Sequence, residues 1–371
     1  MSSKKRLIWL DIAKGVAILS MVLGHCLESD LWLRIFIYSF HMPLFFVLAG
    51  FTMHSKPRKQ VLVQSTRRLL VPYFAVCAIL LFFAFVPPAS LSSALDTQKS
   101  APVVLIEILY GSGQEGIIMG HHFQAIGALW FLPCLFIARV IFNEILLASD
   151  KFRARADKSA HLSAHAGAWQ HLFECACVGV CIWAGFALGD FAHLPFNFDT
   201  ACIAVGFMFV GYLVKLVGIE NIPLAAWVAL FAVWMLYPYA GENEMAVRAY
   251  LDYPLSLVTA AAGSLVVMRV CCFVERIPLL SQGLAWCGVN SLYILCVHRV
   301  ESAIFNWQKI MEFFRPDVWD WNQLAQGLYQ FGLRGTLVVL LSIVVVRGIT
   351  AAKQQRAQRL EGSGSNVPQH A

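Results

Sequence analysis

The sequence predicts an all-α integral membrane protein of about ten transmembrane helices, with both termini cytoplasmic. Three observations carry this expectation. First, 59% of the 371 residues are hydrophobic and only 13% are charged, whereas a soluble globular chain is roughly 25% charged. Too few charges remain to cover a water-facing surface. Second, the apolar residues gather into windows of about 20, the length a bilayer core requires. Third, lysine and arginine concentrate in alternate loops, the asymmetry that orients a multi-pass chain.

The windows fall near residues 8–26, 31–53, 69–88, 129–147, 172–188, 201–218, 222–240, 253–274, 284–300 and 328–349. The fifth and sixth are short. Cations group at Lys4, Lys5 and Arg6, then at Lys56, Arg58, Lys59, Arg67 and Arg68, and then at Lys151, Arg153, Arg155 and Lys158. Lys215 closes the sixth window, Arg269 and Arg276 close the eighth, and Arg347, Lys353, Arg356 and Arg359 follow the tenth. The intervening loops are poor in cations: 89–128 holds only Lys99, 241–252 only Arg248, and 301–327 only Lys309 and Arg315. This alternation implies an even number of spans independently of hydropathy.

The first window carries a signal-like basic start. Asp11 and Lys14 interrupt it and no small-residue cleavage pair ends it, so it is expected to stay as an anchor. The short connection Leu27 to Asp30 makes an antiparallel hairpin of the first two spans. Segment 89–128 is long and glycine-rich between Gly111 and Gly120, and its apolar piece Val103 to Tyr110 is a candidate re-entrant segment. Segment 148–171 reads as a basic cytoplasmic connector, and the end of the chain (Glu361 to Ser365) as disordered. No internal repeat of the transporter type is found.

Composition also excludes functions. The net charge of +6 does not mark a nucleic-acid binder, because the cations lie between apolar runs rather than on one folded face. The 11 cysteines include no paired CxxC and no zinc spacing, so neither a metal site nor a disulfide framework is expected. His161 and His165, at helical spacing on the connector, make a poor metal site without local carboxylates.

Chemistry concentrates in the first two windows. An ionisable group in a lipid-bound helix is costly and by default marks function. Asp11 lies one turn before Lys14 and can neutralise it. Lys14 and His25 are close to three whole turns apart, on nearly one face and roughly 16 Å along the axis. Gly15 and Gly24 would let a helix or ligand approach closely. Snorkelling to water is the plain alternative for Asp11 and Lys14, but it does not account for His25. In the second window, His41 is followed by Pro43, which should break the helix just after it and open a kink near the depth of Lys14. A structural polar residue beside a kink is the plain alternative there.

Leu10-Asp11-Ile12-Ala13-Lys14-Gly15 running to Gly24-His25, with Phe40-His41-Met42-Pro43-Leu44-Phe45-Phe46 and Ala49-Gly50-Phe51, resembles acyltransferase family 3 of bacterial membrane proteins. Within it the fucose 4-O-acetylase-like branch is the nearest likeness. Arg67-Arg68-Leu69-Leu70-Val71-Pro72-Tyr73, Leu129-Trp130-Phe131-Leu132, Gly211-Tyr212-Leu213-Val214-Lys215 and Asn290-Ser291-Leu292-Tyr293 leading to His298 extend the likeness over most of the chain.

The resemblance implies a multi-pass enzyme of the bacterial inner membrane, with residues 1–350 as the transmembrane acyltransferase domain and 351–371 as a disordered cytoplasmic tail. It implies transfer of an acetyl group from acetyl-CoA, a co-substrate rather than a bound cofactor, to a hydroxyl of a cell-surface or lipid-linked (polyprenyl-linked) glycan. The family motifs map onto Lys14 and His25, and onto Arg67 and Arg68. Here the two arginines are adjacent where many relatives space them by two, and lysine stands at 14 where many carry arginine. The extracytoplasmic hydrolase-like domain of some relatives has no counterpart here.

On this reading His25 is the catalytic base or an acyl-accepting nucleophile. Lys14, paired with Asp11, holds the donor or its developing oxyanion, while Arg67 and Arg68 face the phosphates of coenzyme A or serve only as positive-inside anchors. His41, His298 and Asp199 are substrate-binding candidates. A local ion cluster around His298, Arg299 and Glu301, and a helix cap at Asp199, are the simpler accounts. His121 and His122 in the outer loop, and Trp130, Trp307, Trp319 and Trp321, could meet a sugar. A transporter or flippase of a lipid-linked glycan is the alternative from another class, and succinyl transfer is a variant of the first.

Overall fold

The computed structural model describes residues 6–85, 101–118, 121–157, 166–191, 194–241 and 243–364. They form a helical bundle with a single two-stranded ribbon. In chain order the helices are α1 (Ile8–Gly24), α2 (Trp32–Tyr38), α3 (His41–Phe51), α4 (Arg58–Ser65), α5 (Val71–Phe85) and α6 (Ala101–Tyr110). The strands β1 (Gly116–Ile118) and β2 (His121–Phe123) follow, then α7 (Phe131–Ala156), α8 (Ala166–Phe191), α9 (Phe198–Val217) and α10 (Leu224–Trp234). The last are α11 (Leu255–Val274), α12 (Pro278–Val289), α13 (Ser291–Ile304), α14 (Trp307–Phe314) and α15 (Gln323–Gly364).

Each of the ten apolar windows overlaps at least one of these helices. Among the described residues, seven helical stretches are long and apolar enough to cross a membrane, and α12 with α13, bent by 70°, makes up to eight. α1 has 17 residues and α10 has 11, both below that length. Backbone hydrogen bonds closed within each helix are what let such segments sit in hydrocarbon.

Glycines set the closest crossings. A Cβ on Gly15 would strike the Leu284 carbonyl of α12, and one on Gly288 would strike the Asp11 carbonyl of α1. Gly50 of α3 and Gly211 of α9 meet Met208 and Val47 backbone in the same way. α1 therefore packs on α12, and α3 on α9, by backbone approach of the kind that drives helix association in lipid, and α1 also packs on α3. Gly288→Val is expected to prevent assembly of the native bundle. The check is a monodisperse peak in detergent, which a tolerant crossing would preserve.

The first two spans pair antiparallel, as the short connection requires, but in a register that the sequence reading misplaced. The Tyr38 ring packs on Gly24, and Trp9 meets Phe51 with ring centroids 5.1 Å apart. His41 thus lies toward the His25 end of α1 rather than at the depth of Lys14, because α2 begins beyond the end of α1. The helix break also precedes His41. It falls at Ser39–Phe40, where Phe40 has φ −143°. Pro43 sits in the first turn of α3, where its missing N–H is not needed, and the carbonyl it leaves unbonded belongs to Ser39. The break is closed by Trp234 Nε1 donating to Ser39 Oγ at 2.8 Å and by Ser264 Oγ donating to Phe40 O at 3.4 Å.

Other loops fall as follows. Val103 to Tyr110 forms most of α6, a short helix packed on α5. In the ribbon, Ile117 pairs with His122. α15 continues to Gly364, through alanine, glutamine, arginine and leucine, all good helix formers. His161 and His165 lie outside the described residues.

Candidate active site

Helical periodicity puts Asp11, Lys14, Ile18, Met21 and His25 in one stripe, at steps of three and four residues. All five line one cavity of about 440 Å³, within the range of small-molecule sites. Asp11 to His25 spans roughly 21 Å of helix, so the cavity follows most of α1. α12 supports the same helix from behind through Gly15 and Gly288.

The Ile8 end of the cavity is cationic. Arg6, Lys14, Arg68 and Arg139 reach it against one carboxylate, Asp11. Asp11 is bound by Arg6 Nε at 2.7 Å and lies 3.7 Å from Lys14 Nζ. Lys14 keeps 32% of its side chain open, against 12% for Asp11, so the ammonium and not the carboxylate is offered to the cavity. Arg139, on α7, donates to Ser65 Oγ at 3.3 Å. Arg68 stands on a π-helical turn, Thr66–Leu70, between α4 and α5. Such wide turns re-aim side chains locally, and here Arg68 faces the cavity while its neighbour Arg67 is exposed and does not line it.

The other end is aromatic and histidine-rich. His25 caps the C-terminus of α1. It has an exposed side chain although it lies inside the bundle, because the surface it exposes is cavity wall. His41 is buried, with Nδ1 2.9 Å from Ile37 O and its ring centroid 4.8 Å from that of Tyr38. Both His41 and Tyr38 line the cavity, as does Trp130.

Behind His25 stands a buried polar cluster. The His298 ring lies 5.3 Å from the His25 ring, tilted by 32°. His298 Nδ1 is 2.9 Å from Glu301 Oε1. Glu301, 2% exposed, accepts from Arg334 Nε at 2.7 Å and from Trp307 Nε1 at 2.6 Å. Arg334 Nη1 also donates to the His25 carbonyl at 3.4 Å. This cluster fixes the end of α1 from α13 and α15. Arg299 Nε donates to Ile126 O at 2.7 Å.

Of the residues singled out from sequence, the structure brings Asp11, Lys14, His25, His41 and Arg68 to one cavity and sets His298 against it through His25. Arg67 and Asp199 are not among its lining residues. Asp199 is not the cap of α9 either. The N-cap is Asn197, in the left-handed region with φ 51°. Asp199 sits in the first turn, 1% exposed and 3.6 Å from Arg248 Nη1, where the helix dipole favours a carboxylate. Among the tryptophans, Trp307 serves Glu301 and Trp321 donates to Asp317 at 3.2 Å. Arg139 and Arg334 were missed, although each is a charge well inside an apolar window, with Glu144 and Arg347 nearer the window ends, which is itself a signal. Asn243 and Glu244, which also line the cavity, carried no such signal. Among the described residues no group of three His, Cys, Asp or Glu side chains could hold a metal ion.

The fold and site are thus a helical bundle with seven to eight stretches able to cross a membrane, whose first helix lines a cavity with lysine and histidine. The family model for acyltransferase family 3, described as an acyltransferase domain, matches residues 7–347, and the chain belongs to that family. No curated protein and no solved structure matches the chain.

Proposed function

We propose that the protein transfers an acetyl group from acetyl-CoA to a hydroxyl of a cell-surface or lipid-linked glycan. The reading extends to a chain that crosses a bacterial cytoplasmic membrane about ten times with both termini inside. The observation that supports it is the α1 stripe, whose cationic end and imidazole end line one cavity. Family membership supports acyl transfer; the acetyl-CoA donor and glycan acceptor are what the family resemblance implies, and the cationic end is compatible with such a donor.

The cationic end suits the phosphates of coenzyme A. Arginine binds phosphate through paired N–H donors, and Arg6, Arg68 and Arg139 surround this mouth. The acyl-pantetheine arm then runs along α1 and brings the thioester to His25. The imidazole takes the proton of the acceptor hydroxyl as its oxygen attacks the acetyl carbonyl carbon. The carbon–sulfur bond breaks, the thiolate takes the proton back from the imidazolium, and the products are the acetyl ester and free coenzyme A. Lys14 steadies the donor's polar arm, and Asp11 holds Lys14 in place. The amide dipoles and cations of a water-poor cavity act more strongly than they would in bulk solvent.

Full-length protein in nanodiscs is expected to release thiol from acetyl-CoA and to pass labelled acetyl to envelope glycans. Arg68→Ala and Arg139→Ala should each raise the KM for acetyl-CoA by about ten- to a hundredfold, the worth of a charge-assisted hydrogen bond, with little change in kcat. Absence of thiol release from the wild-type protein would remove the donor assignment.

A further inference from the structure

Asn243 is 5% exposed, and among the described residues neither its side-chain nitrogen nor its oxygen has a hydrogen-bond partner. Such an amide has given up water on both sides without compensation, which is unfavourable unless something else fills the site. The loop that carries it is not slack. Asn197 Nδ2 donates to Ala246 O at 3.1 Å, and Arg248 Nη2 donates to Gln114 Oε1 at 2.9 Å. The chain is thus tied down within a few residues of Asn243, while the buried amide itself stays without a partner among the described residues.

What it faces is specific. Asn243 borders the main cavity and also a side pocket of about 50 Å³ whose walls include Arg34, Tyr38, Glu244 and Thr259. The Arg34 guanidinium lies 4.6 Å over the Tyr38 ring and 3.5 Å from Glu244 Oε2. An aromatic face, a carboxylate, a guanidinium and an amide thus meet at the His25 end of the cavity.

We propose that Asn243 anchors an acceptor subsite for a polyhydroxylated ring, its Nδ2 donating to one hydroxyl and its Oδ1 accepting from the neighbouring hydroxyl. This rests on the acyl-transfer reading above. A carboxamide has one donor side and one acceptor side, and a vicinal diol presents the complement of both. A phosphate would satisfy only the donor side and would meet the Glu244 carboxylate. Tyr38 gives the ring a flat surface, and the Arg34–Glu244 pair offers charged partners for further hydroxyls. Because His25 lines the same cavity, a ring held here can present one more hydroxyl to the base.

The test uses full-length protein in nanodiscs with acetyl-CoA, alone or with methyl α-pyranosides of the gluco, galacto and manno series. For Asn243→Ala, thiol release from acetyl-CoA alone and the KM for acetyl-CoA should stay within about twofold of wild type. Pyranoside-dependent release should fall by about tenfold or more through the acceptor KM. The melting temperature should be unchanged or higher, because the wild-type amide has no bond to lose. Unchanged pyranoside-dependent release overturns the subsite. So does a raised KM for acetyl-CoA, which would make the amide a contact of the pantetheine arm, or a clearly lower melting temperature, which would make it structural. A wild-type protein that no pyranoside stimulates also overturns it. If acetyl-CoA with envelope glycans gives no thiol either, the acyl-transfer reading falls as well.

Discussion

His25→Ala should lower acetyl transfer by about 10²–10⁴-fold, the range that a positioned general base contributes, while the bundle stays folded. The separation of the two effects follows from where the ring sits. His25 ends α1 and exposes its side chain to the cavity. The contact that ties this position to the rest of the bundle, Arg334 Nη1 on the His25 carbonyl at 3.4 Å, uses the backbone and survives the substitution. The ring's packing against His298, at 5.3 Å between centroids, is lost and widens a space that is already open. Thiol release in the presence of acceptor and the melting temperature are the two measurements. Wild-type turnover in a folded His25→Ala protein would remove His25 from the reaction.

Glu301→Leu is the substitution expected to damage stability most, by about 3–5 kcal/mol, the range for breaking a buried ion pair from one side. Leucine nearly fills the volume but takes away the acceptor that Arg334 Nε and Trp307 Nε1 reach at 2.7 and 2.6 Å. The Arg334 guanidinium, 6% exposed, would then be a buried charge without its carboxylate. Removing both partners is a different matter. In Glu301→Leu with Arg334→Leu no charge is stranded, so part of the loss should return, and a double-mutant cycle measures how much. Thermal unfolding in detergent reads both variants. If the double variant is no more stable than Glu301→Leu alone, the charge pair is not the source of the loss.

The same cluster shows how far sequence could reach. Asp11, Lys14 and His25 were legible as one stripe because a helix's period is a local property and all three lie within one helix. His41 was legible as a polar group in an apolar span, but its register was not. Pro43 marks a break without saying which side of His41 it falls on, and the pairing of Tyr38 with Gly24 depends on how far the connection carries α2 past α1. Arg67 and Arg68 are indistinguishable by composition, and the π-helical turn, Thr66–Leu70, separates them. Asp199 looked like a cap because it precedes an apolar run, yet Asn197 takes that position and Arg248, from a distant loop, takes the carboxylate.

By itself, the sequence determined that this chain belongs in a bilayer, where its apolar helices run, and which face of the first one carries its ionisable groups. Each of these follows from hydrophobic length and helical repeat, which neighbouring residues encode. Tertiary structure alone decided that this face lines a cavity, that Arg139 closes its basic end, that Glu301 and Arg334 brace His25 from behind, and that Asn243 beside it has no partner among the described residues. Those facts depend on which helices meet. In lipid that choice is made by close backbone contacts such as Gly15 with Leu284 and Gly288 with Asp11, between residues far apart in the chain.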